Sequence, residues 1–165
     1  MRFRTYTLFF VVAIAAAAAL AVSGPAAADD KDVCKESSGD VAIEACSRAI
    51  TAGKHKGRAL AMIYTNRGVE YGAKGENERA IADHDQAIKH DAKNSLAYNN
   101  RGNAYGAKGD NDRAITDYDQ AIKLNPKYAA AFYNRGIAKR KKGDFEGAEA
   151  DIAQARLFQP GIGGQ

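Results

Sequence analysis

The chain has 165 residues, 27% of them charged, 8% aromatic with no Trp, and 45% hydrophobic on a count that includes Ala. That supports one modest helical core and is too little for a multidomain enzyme. The formal net charge of +4 is too balanced to steer nucleic acid, and no nucleic-acid partner is expected.

From Leu8 to Val22 the sequence is apolar without a break, with Arg2 and Arg4 before it and Ser23-Gly24-Pro25 and Ala26-Ala27-Ala28 after it. A charged head, an apolar middle and a small-residue end are the parts of a secretory signal peptide, and the apolar run is shorter than the roughly 20 residues a spanning helix needs. Cleavage after Ala28 is expected, so residues 1–28 are assigned to the signal. It would remove two Arg and no acid, leaving +2 on 137 residues. The product is expected to be exported, periplasmic or secreted with a bacterial periplasm favoured, and without stable membrane insertion.

Residues 29–60 are expected to form an N-terminal cap with one helix, Gly39 to Ile50, and a loop over 51–57. Cys34 and Cys46 lie within it. Oxidising compartments pair thiols, so a disulfide between them is expected. The alternatives are a redox pair or a metal site with His55, His84 or His90. A redox pair usually has C-x-x-C spacing and a zinc site four ligands at short spacings, and neither pattern occurs. No metal and no cofactor are predicted.

Beyond the cap, Asn66-Arg67-Gly68 recurs as Asn100-Arg101-Gly102 and Asn134-Arg135-Gly136, at intervals of 34 residues. Aligning 61–94 with 95–128 gives 20 identities in 34, which marks an array of like units rather than a chance match. The third copy, 129–162, diverges but keeps Gly136, Gly143, Ala148, Ala155 and Pro160, and a tail covers 163–165. Each copy reads as two amphipathic helices of about 13 residues around a Gly turn, 95–107 and 111–124 in the middle copy. A lone pair could not bury its apolar face, so the three are expected to share one core. Ile81 and Ile88, then Ile115 and Ile122, become Glu149 and Arg156 in the last copy. That is the change expected of a solvent-facing end, and it points to a complete short array.

The order Tyr98, Gly102, Tyr105, Ala114, Tyr118, Ala121 and Pro126 resembles the tetratricopeptide repeat (TPR) family. Phe132, Gly136, Ala148, Ile152, Ala155 and Pro160 follow it in the third copy, and Tyr64, Gly68, Tyr71, Ala80, His84 and Ala87 in the first. Lys139 departs from the usual aromatic, and Ala92 replaces the closing Pro, which predicts a softer junction after copy one. The resemblance implies an all-α fold: a right-handed α-α superhelix of three full helix-turn-helix repeats plus an N-terminal capping half-repeat. It further implies a groove on the first helices that takes a protein or peptide segment. Asn66, Val69, Leu96, Asn99, Asn100, Asn103, Tyr133, Asn134, Ile137 and Lys141 would line that groove, together with Met62, Thr65 and Ala130. Amides both donate and accept, so the row Asn66, Asn100, Asn134 could bond a peptide backbone; the same side chains could equally satisfy local groups or water. Some relatives hold a terminal carboxylate with a Lys, Asn and Arg clamp. Here those places read Thr65, Val69, Asn100, Ala130 and Asn134, so carboxylate capture is not expected.

Arg67, Arg101 and Arg135 recur with Asp83, Asp117 and Asp151 sixteen residues later, which predicts three structural ion pairs; a row of Arg facing an anionic ligand is the alternative. Because Leu is common in the family where Arg101 stands, Arg101→Leu is expected to be milder than loss of Asp117. The run Lys139-Arg140-Lys141-Lys142 suits the C-terminal end of a helix, or an acidic partner. His84 and His90 replace Tyr118 and Leu124 of the next copy, which predicts packing roles. No nucleophile motif, phosphate loop or zinc-binding helix occurs, so no enzyme is predicted and no catalytic residue is proposed. Two functions remain: an adaptor binding a peptide or protein segment, as a monomer or weak homo-oligomer, or an assembly subunit that self-associates through the array ends.

Overall fold

A computed structural model describes residues 29–164. The expected signal peptide, 1–28, lies outside the described residues. Within them the chain is all-α, with eight helices: α1 (Asp30–Glu36), α2 (Gly39–Thr51), α3 (Gly57–Ala73), α4 (Asn77–His90), α5 (Ser95–Ala107), α6 (Asn111–Leu124), α7 (Ala129–Lys141) and α8 (Phe145–Phe158).

The turn inside each copy follows from one glycine. Gly75, Gly109 and Gly143 take φ of +76°, +83° and +88°, a left-handed conformation that a side chain disfavours. The next amide then bonds back into the helix, from Glu76 to the Tyr71 carbonyl, Asp110 to Tyr105 and Asp144 to Lys139, so the helix end is closed by a Schellman-type pair. Asp110 and Asp144 also start the following helix, accepting from the Arg113 and Gly147 amides, which satisfies one of its free donors. Glu76 makes no such bond in copy one.

Each helix packs on the next in sequence, and among the first helices α1 touches α3, α3 touches α5 and α5 touches α7. No such contacts join α2, α4, α6 and α8 to one another. A stack whose odd helices touch while its even helices do not is curved, with α3, α5 and α7 on the inside. The core between the layers is built from small residues, Ala80, Ala87, Ala97, Ala104, Ala114 and Ala121 among them, with Tyr71 and Tyr118 as the bulk. Ile81 packs against a cluster containing Ala104, Ile88 against one containing Ala97 and Ile115 against one containing Ala138. Each therefore reaches into the following copy, whereas Glu149 and Arg156 are exposed.

The cap departs from the expectation of one helix. Asp29 accepts from the Lys31 amide and starts the short α1, which packs on α2 and α3 as a truncated first helix. The expected loop ends earlier as well, because Gly57 opens α3 with φ +52° and the helix-favouring run from Arg58 to Leu60 continues it. Cys34 and Cys46 are joined by a disulfide in a small core with Ala45, Ala49 and Ile63.

The junction after copy one, expected to be softer for want of its Pro, has the same turn as the next. The Asn94 amide bonds the Asp91 carbonyl and the Lys93 amide the Asp91 side chain, as Tyr128 and Lys127 do with Asn125. The Asp or Asn at the helix end organises the turn, and Pro126 is not required for it.

Close approach explains the glycine in the middle of each first helix. A Cβ on Gly136 would meet the Ala148 carbonyl oxygen at 2.9 Å and Ile152 Cγ1 at 3.0 Å, whereas one on Gly72 would find only the Ala80 Cβ at 3.9 Å. Gly136→Ala is therefore expected to destabilise the fold, since overpacking of about 1 to 3 kcal/mol outweighs the gain of about 1 kcal/mol in helix propensity. Gly72→Ala should instead raise the unfolding temperature. Thermal unfolding of the two variants checks this, and equal shifts would refute the packing argument.

Candidate functional site

The inner face carries three depressions in a row. One, of about 490 Å³, lies between the start of α3 and the α4–α5 junction and is bordered by Arg58, Met62, Asn66, Asn94 and Leu96. The second, about 390 Å³, sits over His84 between α3 and α5, with Gly68, Val69, Gly72, Asn100 and Asn103 around it. The third, about 300 Å³, is framed by Asn103, Asn111, Tyr118, Tyr133, Asn134, Ile137 and Lys141. The last two are equivalent under the 34-residue repeat: Val69 corresponds to Asn103, His84 to Tyr118 and Asn100 to Asn134.

Asn66, Val69, Leu96, Asn100, Asn103, Tyr133, Asn134, Ile137 and Lys141, all expected in the groove, border these depressions. Asn99 does not. It is 4% exposed and accepts from Asn134 Nδ2 at 3.2 Å while donating to Asn100 Oδ1 at 3.2 Å, so it supports the groove from below. Thr65 is likewise buried, donating to the Ala61 carbonyl and accepting from Asn94. The periodic reading missed both because one turn of helix separates inner face from interface, and a polar side chain can serve either.

The amide row is unequal along its length. Asn134 Nδ2 is engaged by both Asn99 and Asn103, the latter at 2.9 Å, and Asn103 Oδ1 also accepts from the Tyr118 hydroxyl at 2.9 Å. Asn100 accepts one bond and donates none among the described residues, so its amide hydrogens remain for a ligand. Asn111 Oδ1, in the third depression, is buried with no hydrogen-bond partner. Neither Asn111 nor its equivalent Asn77 was named from the sequence, although both open their helix at the same repeat position.

Behind the groove each Arg grips its Asp through two nitrogens: Arg67 to Asp83 at 2.7 and 2.8 Å, Arg101 to Asp117 at 2.8 and 2.7 Å, and Arg135 to Asp151 at 2.8 and 2.6 Å. A third bond, invisible to the pattern within one copy, reaches back into the preceding unit: Arg101 to Asp85 at 2.5 Å, Arg135 to Asp119 at 2.6 Å and Arg67 to Ser47 at 2.9 Å. Each guanidinium also lies over an aromatic ring one turn earlier, Tyr64, Tyr98 or Phe132. One Arg thus fastens three successive helices, and the matching Asp is absent as Ala153 in the last copy. Asp151 is held below the ordinary carboxylate range: its burial acts the other way and is outweighed by the bonds and charges of Arg135 and Lys139. The basic run is largely consumed internally, Lys139 by Asp151 at 2.9 Å, Arg140 by Glu149 and Lys142 by Asp112.

His90 stacks on Tyr64 with centroids 5.9 Å apart. Among the described residues no three His, Cys, Asp or Glu side chains gather as a metal site, and no helix is long and apolar enough to cross a membrane.

The sequence matches the family described as TPR repeat over residues 68–109 and 102–143. Among solved structures, the second TPR of Spaghetti (RPAP3) bound to the HSP90 peptide SRMEEVD is 32% identical, with a TM-score of 0.59, and the match covers 60% of this chain and 92% of that one. This chain belongs to the tetratricopeptide repeat family. The second TPR domain of human RPAP3 in complex with the HSP70 peptide SGPTIEEVD is 33% identical, with a TM-score of 0.60, over 62% of this chain and 86% of that one. MamA, at 24% identity and a TM-score of 0.65, shares the TPR fold over 73% of this chain and 68% of its own. A search of curated proteins found no match.

Proposed function

We propose that this TPR array is a non-enzymatic adaptor whose inner face binds a peptide or protein segment across the three depressions on α3, α5 and α7. The observation that carries it is the pair of polar groups left open on that face, the Asn100 amide donors and the buried Asn111 Oδ1, in a groove whose other polar atoms are largely bonded internally. The similar RPAP3 TPR domains bind peptides ending in EEVD. The present groove has Lys141 as the one exposed cation of its last depression and Val69 and Ala130 where a clamp would need polar or basic groups, so its segment is read as largely uncharged. Export to a periplasm or beyond remains part of the proposal, supported by the apolar N-terminal stretch and the paired cysteines.

Photo-crosslinkers placed at Val69 and Lys141 should capture a protein from native extract, while the same group at Leu157, 75% exposed on the terminal helix, should not. The opposite result, with mass depending on protein concentration, would favour self-association through α8, where Phe145 is also 65% exposed. Asn100→Ala is expected to weaken the captured partner by about 1 to 3 kcal/mol, roughly five- to a hundredfold in affinity, with a smaller change in unfolding temperature. Isothermal titration of that partner checks it, and unchanged affinity would move binding off this face.

A further inference from the structure

Copy two fills its groove from within. The Tyr118 ring lies against Gly102, and its hydroxyl donates to Asn103 Oδ1 at 2.9 Å while standing 3.8 Å from where a Cβ on Gly106 would be. In copy one the same position is His84, the Asn103 equivalent is Val69, and beside Gly72 there is nothing closer than the Ala80 Cβ at 3.9 Å. The imidazole is thus shorter than the phenol it replaces, and the space left over is part of the 390 Å³ depression.

His84 is also unsatisfied. It is 1% exposed, Nδ1 is buried without a partner, and neither ring nitrogen makes a hydrogen bond among the described residues. Burial, helped by the charge of Arg101, pushes its pKa down to about 4, so at neutral pH the ring is uncharged and offers one donor and one acceptor. The walls are Gly68, Val69, Gly72, Ala73, Ala80, Ala104 and Ala107, and the depression contains no charged residue.

We propose that the depression over His84 is a subsite for one tyrosine side chain of the bound segment, whose ring fills the apolar space and whose hydroxyl bonds the His84 imidazole. This rests on the groove being the binding face. A charged side chain would lose its water with no opposite charge to meet it. An aliphatic one would leave the imidazole unpaired, and Ser or Thr is too short to fill the space. A phenol meets both demands, as Tyr118 does from inside the chain in the next copy.

The test uses p-cresol, the tyrosine side chain alone, titrated into the full chain and followed by amide NMR, with toluene as the analogue lacking the hydroxyl. Saturable shifts are expected at Gly68, Gly72, Ala73 and Ala104, with toluene about tenfold weaker, the worth of one hydrogen bond. His84→Tyr should abolish the site by filling it, and His84→Phe should bring p-cresol down to the toluene level. No saturable shift at these amides, equal affinity for the two probes in the native chain, or full p-cresol binding by His84→Tyr would each overturn the proposal. Capture of a partner from Val69 and Lys141 with no p-cresol binding would refute the subsite and leave the groove standing; p-cresol binding without capture would do the reverse.

Discussion

Arg101→Leu is expected to destabilise the protein by about 3 to 5 kcal/mol, the usual cost of removing one partner of a buried ion pair, and to cost more than Asp117→Asn. The sequence suggested the opposite order, because Leu is common in the family at that place. The geometry decides otherwise. The Asp117 side chain is 5% exposed and Arg101 is its one cationic partner. Arg101, at 21% exposure, also holds Asp85 and lies over Tyr98. Losing Asp117 therefore leaves the guanidinium with a second carboxylate, while losing Arg101 leaves a carboxylate buried alone. Its desolvated carboxyl would have a folded pKa above the unfolded value of about 3.9, so its stabilising effect exists at low pH and is lost as pH rises through the folded pKa. The deficit of Arg101→Leu should accordingly be largest at pH 7 and shrink towards pH 4. Denaturant titrations of both variants at the two pH values read this out. A larger loss for Asp117→Asn, or a deficit for Arg101→Leu independent of pH, would show that the pairs are not buried in effect.

Reducing the Cys34–Cys46 bond is expected to remove about 3 kcal/mol of chain-entropy stabilisation from the cap while leaving the array folded. The seven-residue α1 is too short to be helical alone and Cys34 is its one buried residue, so the bond is its principal anchor alongside the exposed Asp30–Arg48 pair at 2.8 Å. The helices from α3 to α8 bury their own Ala and Tyr faces on one another and do not depend on it. Hydrogen exchange of reduced, alkylated protein should show amides 30–36 losing protection and those of α5 to α8 keeping it. Collapse of the whole helical signal at room temperature, or two free thiols in protein recovered from an oxidising compartment, would refute this account.

The middle repeat was legible down to its helix limits, 95–107 and 111–124, because a Gly turn, a capping Asp and a closing residue punctuate the chain locally. The cap was only half legible, since α1 is too short to show a hydrophobic period and is held by contacts with α2 and α3. Within the site, the 34-residue spacing pointed to Asn100, Asn134 and Lys141 but could not separate Asn99, a buried support, from its exposed neighbours. Whether an amide faces the groove or the adjoining helix depends on how far the units rotate about one another.

What the sequence determined by itself, then, is the unit: its period, its two helices, the Gly at each close crossing and the Arg and Asp that pair within it. These depend on residues near one another along the chain or repeated at a fixed interval. Only the tertiary structure decided what lies between units. It added Asp85 and Asp119 as second partners for the Arg side chains, reversed the expected order of the Arg101 and Asp117 substitutions, and left His84 unpaired over an empty space that Tyr118 fills one repeat later. The physical reason is that burial and pairing belong to surfaces brought together by stacking, and the curvature of the stack sets which atoms meet.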